Sequence, residues 1–291
     1  MRFMRIGDVG RERPVVEVDG HHFELGSVTS DIDAAFWVDG PARVAAAIAA
    51  DALTKVEISG IRIGSPMARP GAVICIGLNY AAHAAESGAL PPDHPILFLK
   101  TPNTVAGPND DVAIPAGSVK TDWEVELGVV IGRAASYLLT DDEALASLAG
   151  FVLVDDLSER TYQLEISGGQ WSKGKSLKGF TPTGPVLVTA DELDSGNLGI
   201  RSFVNGEPRQ HSNTRDMIFT VAALVRDLSH YMELEPGDLI ITGTPEGVAL
   251  SGRFPYLADG DVVRVEIDGL GSQEHRIVRR ASTIGKEQES D

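Results

Sequence analysis

Glu124 and Glu126 stand two residues apart in the run Glu124-Val125-Glu126-Leu127-Gly128-Val129-Val130-Ile131. In a strand, where successive side chains alternate between faces, both carboxylates share one side while Val125, Leu127 and Val129 take the other. That spacing by itself also describes a half-exposed strand with a solvated acidic face. Further along, Asp155-Asp156 closes the apolar run Phe151-Val152-Leu153-Val154. A carboxylate at the end of a buried strand needs a partner, because an unpaired buried charge is costly, and a cation is one such partner. Three carboxylates with no cysteine and no evident histidine among them make a hard oxygen site. Such a site suits Mg²⁺, Mn²⁺ or Ca²⁺ better than zinc or copper, and an octahedral ion held by three protein oxygens keeps positions for water and substrate.

A second constellation is Asn79-Tyr80-Ala81-Ala82-His83-Ala84-Ala85-Glu86-Ser87-Gly88. It reads as a short helix capped by Asn79 and ended by Gly88, with His83 and Glu86 on one face. A neutral imidazole oriented by a carboxylate is a usable general base, and a chance pair on a surface helix has the same spacing. Gly169-Gln170-Trp171-Ser172-Lys173-Gly174-Lys175-Ser176 matches the phosphate-loop pattern G-x-x-x-x-G-K-S, but its context argues against nucleotide binding. A true phosphate loop follows a buried strand and opens a helix. Here the polar, helical-looking 158–166 precedes it and the Gly- and Pro-rich 177–185 follows. Lys175 and Arg160 instead offer positive charge for an anionic substrate. The turn Thr242-Gly243-Thr244-Pro245-Glu246-Gly247 offers hydroxyls and backbone N–H groups, and serves equally as a structural turn.

The elements that must position these residues are mostly strands. Apolar runs at 72–78, 95–100, 125–131, 151–154, 185–188, 239–242 and 262–267 are bounded by Gly, Pro or Asp, which predicts a strand-rich mixed α/β fold. Residues 14–25 predict a hairpin turning at Asp19-Gly20, and an Ala-rich helix is expected over 41–53. The turn formers between Gly64 and Gly71 suggest a boundary, giving a small N-terminal α+β domain at 1–68 and a catalytic domain at 69–284. An acidic tail at 285–291 follows. One amphipathic helix carries Ile218, Val221, Ala222, Val225, Leu228 and Met232 as a buried stripe, with Asp216 as its expected cap.

A chain of 291 residues can bury a substantial core. Its single cysteine, Cys75, lies in Val73-Ile74-Cys75-Ile76 and excludes both an internal disulfide and a cysteine-built zinc site. No apolar run approaches the ~20 residues of a membrane span, and no secretory leader pattern opens the sequence, so a cytoplasmic protein is expected. A net charge of −17 argues against nucleic acid as a partner and implies that an anionic substrate needs a metal or a local group of bases.

Taken in order, Ile76-Gly77-Leu78-Asn79-Tyr80 with His83 and Glu86, Asp122-Trp123-Glu124-Val125-Glu126-Leu127, Asp156-Leu157-Ser158-Glu159-Arg160, Gly174-Lys175-Ser176 and Thr242-Gly243-Thr244-Pro245 resemble the fumarylacetoacetate hydrolase superfamily. The resemblance covers about residues 70–280. It implies a mixed β-roll or barrel catalytic domain behind a smaller N-terminal domain, often as a homodimer. It also implies Glu124, Glu126 and Asp156 as ligands of Mg²⁺ or Mn²⁺, with Ca²⁺ as a non-native occupant and no organic cofactor. Asp155 stands where many relatives carry Asn, so the second aspartate is the implied ligand. His83 and Glu86 match the water-activating dyad, Lys175 the active-site lysine, and Arg160, Gln163 and Thr244 match positions lining the substrate pocket. Leu78 departs from the Arg of some acylpyruvate-cleaving relatives. The implied activity is cleavage of the C3–C4 bond of a 2,4-dioxo acid, an acylpyruvate or a 2,4-dioxo-3-deoxy sugar acid such as those from rhamnonate or fuconate. Alternatives are oxaloacetate-type decarboxylation or isomerisation on the same chemistry, and, from another class, a non-catalytic binder of cations or nucleotides.

Overall fold

The computed structural model describes residues 1–279, so the acidic tail at 285–291 lies outside the described residues. The apolar runs pair into two open mixed sheets. In chain order the strands are β1 (Arg2–Ile6), β2 (Arg13–Val18), β3 (His21–Glu24), β4 (Thr54–Val56), β5 (Val73–Gly77), β6 (Ile96–Lys100), β7 (Val112–Ile114) and β8 (Val125–Ile131). They continue as β9 (Leu148–Asp155), β10 (Thr181–Thr189), β11 (Gly199–Val204), β12 (Glu207–Asn213), β13 (Leu239–Ile241), β14 (Val262–Ile267) and β15 (Gly271–Arg279). The larger sheet has twelve strands and runs β4-β3-β2-β1-β10-β9-β8-β13-β5-β6, with the short pieces 63–64 and 105–106 attached at its side. The smaller runs β12-β11-β14-β15-β7. The N-terminal strands therefore continue the large sheet, joined where β1 pairs antiparallel with β10 through Arg2↔Val188.

Strand β8 is buried along its whole length, which explains why its sequence is so apolar on both faces. Val125, Leu127, Val129 and Ile131 pack with Phe151, Leu153 and the Ile200, Val265 and Ile277 of the smaller sheet. On the other face Val130, Val152, Val154, Cys75 and Ile241 join a layer closed by helix α1 (Phe36–Ala49), through Phe36, Trp37 and Val44. Cys75 is accordingly a core residue.

Several local expectations shift. Helix α1 starts at Phe36 rather than 41, with Pro41 inside it. Phe36 and Trp37 sit edge-on against Phe3, at ring distances of 5.2 and 6.0 Å, and that burial extends the helix ahead of its proline. The amphipathic helix is α5 (Val221–Leu228), which packs beside α3 (Asp141–Ala146) and is capped by Thr220, whose hydroxyl accepts from the Ala223 N–H. Asp216 lies instead in a separate 3₁₀ turn, 214–216. Helix α2 (Ala81–Glu86) begins after Tyr80 with no side-chain cap. Asn79 is drawn away from capping because its amide donates to Thr242 O (2.8 Å) and Phe219 O (3.0 Å) and accepts from Phe219 N–H (2.8 Å). Gly88, at φ +73°, follows the helix as expected. The stretch 158–166 opens with a two-residue strand and continues as a π-helical turn over Thr161–Glu165.

Candidate active site

The pairing of β8 with β9 decides where the carboxylates meet. Val125 lies opposite Asp155, and one step beyond, the Asp156 N–H donates to Glu124 O at 2.8 Å. Glu124 and Asp156 thus face each other at the end of the ladder, with Glu126 one pleat along. One oxygen from each of the three lies within 4.8 Å of the others, and the side of β8 that carries the two glutamates is closed to solvent: Glu124, Glu126 and Asp156 are 5, 2 and 1 % exposed. The solvated acidic face that the spacing also allowed is therefore not what forms.

Three buried cations meet this cluster. Lys175 Nζ spans Glu124 Oε2 (2.6 Å) and Asp156 Oδ2 (2.5 Å). Arg160 donates from Nε to Asp122 Oδ2 (2.8 Å), from one terminal nitrogen to Gln163 Oε1 (2.7 Å) and from the other to Glu124 Oε1 (2.7 Å). Lys100, at the end of β6, pairs with Asp156 Oδ1 and donates to Phe180 O at 2.6 Å. Burial pushes the Glu124 carboxyl up, but Lys175 and Arg160 overcome it and hold it at about 2. Burial lowers the Lys175 ammonium, and Asp156 and Glu124 more than reverse this, leaving it raised.

Glu126 is the exception. Among the described residues no cation pairs with it, and its hydrogen-bond donor is the Gly243 N–H at 2.5 Å. Burial first, then the charges of Asp156 and Glu124, push its carboxyl well above the usual range. A buried carboxylate lacking a counter-charge, beside two others with oxygen ligands converging, is the environment a hard divalent cation satisfies.

Across the cavity, His83 Nδ1 pairs with Glu86 Oε1 at 2.9 Å, and both Glu86 oxygens accept the Gly247 N–H at 3.0 Å. Helix α2 is thereby tied to the loop after β13. With Nδ1 committed, Nε2 is the ring nitrogen left for the cavity that His83 lines. Glu124, Glu126, Arg160, Gln163, Lys175 and Thr244 line the same cavity, of about 210 Å³. The Thr244 hydroxyl donates to Val125 O (2.9 Å) and accepts from Gln210 Nε2 (2.7 Å). All nine residues singled out in the sequence therefore lie in this cluster, Glu86 and Asp156 directly behind the lining.

Helix α4 (Ser172–Lys175) delivers Lys175, and the residue before it must be glycine: a Cβ on Gly174 would lie 2.5 Å from Gln163 N, Gln163 Cβ and Glu159 O. The phosphate-loop look-alike thus owes its glycine to the packing of α4 on the π-helical turn. The next element after it is strand β10.

Four neighbours had no role assigned from sequence. Lys100 ends an apolar strand, the same signal that drew attention to Asp156. Asp122 lies within the recognised motif, and it holds Arg160 and accepts the Ala249 (2.8 Å) and Leu250 (3.0 Å) N–H groups. Gln210 and His275 carry no local signal. Asp155 accepts the Glu124 N–H at 2.8 Å on one oxygen, and its other oxygen lies 3.0 Å from His275 Nε2, too oblique for a hydrogen bond.

This fold and cluster place the chain in a family. Residues 72–278 match the model described as fumarylacetoacetate (FAA) hydrolase C-terminal, and the chain belongs to the fumarylacetoacetate hydrolase family. It is 43 % identical over 283 residues, covering 95 % of this chain and 96 % of the relative, to 2,4-didehydro-3-deoxy-L-rhamnonate hydrolase of Sphingomonas sp. (strain SKA58). The structure of fumarylacetoacetate hydrolase from Exiguobacterium antarcticum superposes with a TM-score of 0.83 at 33 % identity, over 96 % of this chain and all of that one. Maleylpyruvate hydrolase from Sphingobium sp. SYK-6, in complex with manganese(II) and pyruvate, gives 0.80 at 26 % identity over 97 % of this chain and 100 % of that one. The strand-rich mixed α/β fold expected from sequence is the one observed, and no helix among the described residues is long and apolar enough to cross a membrane.

Proposed function

We propose that this enzyme hydrolyses the C3–C4 bond of a 2,4-dioxo acid, an acylpyruvate or a 2,4-dioxo-3-deoxy sugar acid, to pyruvate or a related 2-oxo acid and a carboxylic acid. The observation that carries the reading is the pairing of an oxygen-ligand cluster lacking one positive charge, at Glu126, with a carboxylate-oriented histidine on the same cavity. The names of the rhamnonate-derivative and maleylpyruvate hydrolases support it, as does the manganese and pyruvate in the latter's structure.

Glu124, Glu126 and Asp156 would hold Mg²⁺ or Mn²⁺, which when bound supplies positive charge for the 1-carboxylate and 2-oxo end of the substrate and for the charge developing on the departing pyruvate unit. His83 Nε2 takes a proton from the water that attacks C4, and Glu86, fixed by the Gly247 N–H, keeps the imidazole in the tautomer with its proton on Nδ1. As the C3–C4 bond breaks, its electron pair stays on the pyruvate unit as an enolate, and the proton that His83 took from water is returned to C3, restoring the neutral imidazole. Lys175 keeps a fixed ammonium at that end, where it counts most as charge develops. Homodimeric assembly belongs to this reading and rests on the resemblance; a cytoplasmic location is proposed beside it.

A panel of acylpyruvates, 2,4-dioxo sugar acids and oxaloacetate, assayed with Mg²⁺ and with Mn²⁺, tests it. Acylpyruvate cleavage is expected, and His83→Ala should lower its kcat by about 10²–10⁴-fold while sparing any decarboxylation of oxaloacetate, which needs no attacking water. Wild-type hydrolysis rates in His83→Ala would refute the role given to His83.

A further inference from the structure

Resting on the hydrolytic reading, we propose that the acyl group this enzyme cleaves from the pyruvate unit is short and uncharged, because the part of the cavity away from the carboxylate cluster is apolar, small and, among the described residues, without a cation. Among the residues lining the cavity the cations are Lys175 and Arg160. Both bond Glu124, at 2.6 and 2.7 Å, so the positive charge is concentrated at the end that receives the pyruvate unit. The remaining wall is built chiefly from Leu78, Ala89, Leu164, Trp171 and Leu250, and Phe98 joins it to the charged end, with Lys175 Nζ 5.3 Å from its ring centroid. A carboxylate carried on the acyl group would be desolvated there with no counter-charge.

Length is limited as well. A cavity of about 210 Å³ falls below the ~300 Å³ at which pockets begin to take drug-sized molecules, and the pyruvate unit occupies part of it. The wall is rigid at two points. A Cβ on Gly77 would lie 2.4 Å from the Trp171 ring, so the indole rests directly on the end of β5, and Phe98 meets it edge-on at 5.6 Å. Leu78 is held at φ +55°, a left-handed conformation for a residue with a side chain. The polar groups available to the acyl portion are neutral. Arg160 has only donors, so Gln163 presents its oxygen to it and keeps its NH₂ as a donor, and Ser87 adds a hydroxyl. These suit a hydroxyl on a short acyl chain.

The test compares kcat/KM, with Mn²⁺, for acylpyruvates carrying acetyl, propionyl, lactoyl, succinyl and octanoyl groups. The short uncharged members are expected to exceed the succinyl compound by about 100-fold or more and the octanoyl compound by about 10-fold or more. A succinyl compound as good as the propionyl one would overturn the proposal. Calorimetric binding of 2-oxopentanoate and 2-oxoglutarate to the Mn²⁺-loaded protein reads the same preference without turnover. If no acylpyruvate is cleaved but 2-oxopentanoate binds at least about 10-fold tighter, the hydrolytic reading falls and the uncharged pocket stands. Equal binding, or tighter 2-oxoglutarate, overturns the pocket assignment itself. Leu78→Arg should move the succinyl-to-propionyl ratio toward the charged compound by about 10-fold. An unmoved ratio would overturn the assignment of this wall to the acyl group.

Discussion

Replacing Glu126 by Gln removes the one carboxylate of the cluster that pairs with no cation among the described residues, while keeping a side-chain oxygen for the Gly243 N–H. In the metal-free protein Glu126 is 2 % exposed and lies beside Glu124 and Asp156, with one oxygen of each within 4.8 Å. A like charge at that distance costs about 3 kcal/mol at an effective dielectric constant of about 20, and Lys175, Lys100 and Arg160 offset much of it. A net penalty of about 2 kcal/mol, typical of a buried charge without its partner, is what the substitution should relieve. For a chain of this size that is about 4 °C in Tm. The sign follows from the raised carboxyl: the folded state holds the proton more tightly than the unfolded chain, so ionisation opposes folding as pH rises above the ordinary value near 4.5. Glu126→Gln should therefore melt higher than wild type in EDTA at about pH 7.5, and the gain should vanish at about pH 4, where Glu126 is protonated in both states. Mn²⁺ at about 100 times its Kd should raise the wild-type Tm by about 5 °C, corresponding to about 2.7 kcal/mol, and raise the variant's far less. Differential scanning calorimetry of both proteins reads all three conditions. A variant that melts no higher than wild type in EDTA, or that keeps the full Mn²⁺ increment, would refute the placement of a cation at Glu126.

Other perturbations probe the scaffold around the cluster. Lys100→Met strips Asp156 of one buried cation and leaves Phe180 O without its donor, so about 3 kcal/mol of stability should be lost in urea titration, although Lys100 is not among the residues lining the cavity. Arg160→Lys cannot span Asp122, Gln163 and Glu124 together, and kcat/KM should fall by about 10-fold or more. Unchanged kinetics would show that the fork is dispensable. Gly174→Ala forces α4 away from Gln163 and Glu159, which should cost about 2 kcal/mol and lower kcat through displaced Lys175. A fully stable and active Gly174→Ala would mean that this packing is soft.

Part of the candidate site was legible in the residues because some of its signals are local. Period-2 alternation placed Glu124 and Glu126 on one face and three-residue spacing placed His83 beside Glu86, whereas the choice of Asp156 over Asp155 and the roles of Lys175, Gln163 and Thr244 came only with the family resemblance. Alternation cannot say which face of a strand is covered, however. The glutamate side of β8 is buried because β9 and β13 flank it and other elements close over it, leaving only the cavity, and those pairings join segments far apart in the chain. The same distance hid Lys100 from Asp156, Gln210 from Thr244 and His275 from Asp155, since neither partner advertises the other in its own neighbourhood. It also misplaced two caps: Asn79 is claimed by Phe219 and Thr242, and Thr220 rather than Asp216 meets the free N–H groups of α5. The residue types and their spacing determined which side chains were on offer, two glutamates on one strand face and a histidine three residues from a glutamate, and left open whether they serve a site. That the cluster is one positive charge short at Glu126 was decided only by the tertiary structure, because the cost of an unpaired charge depends on burial, and burial belongs to the assembled sheets rather than to any one strand.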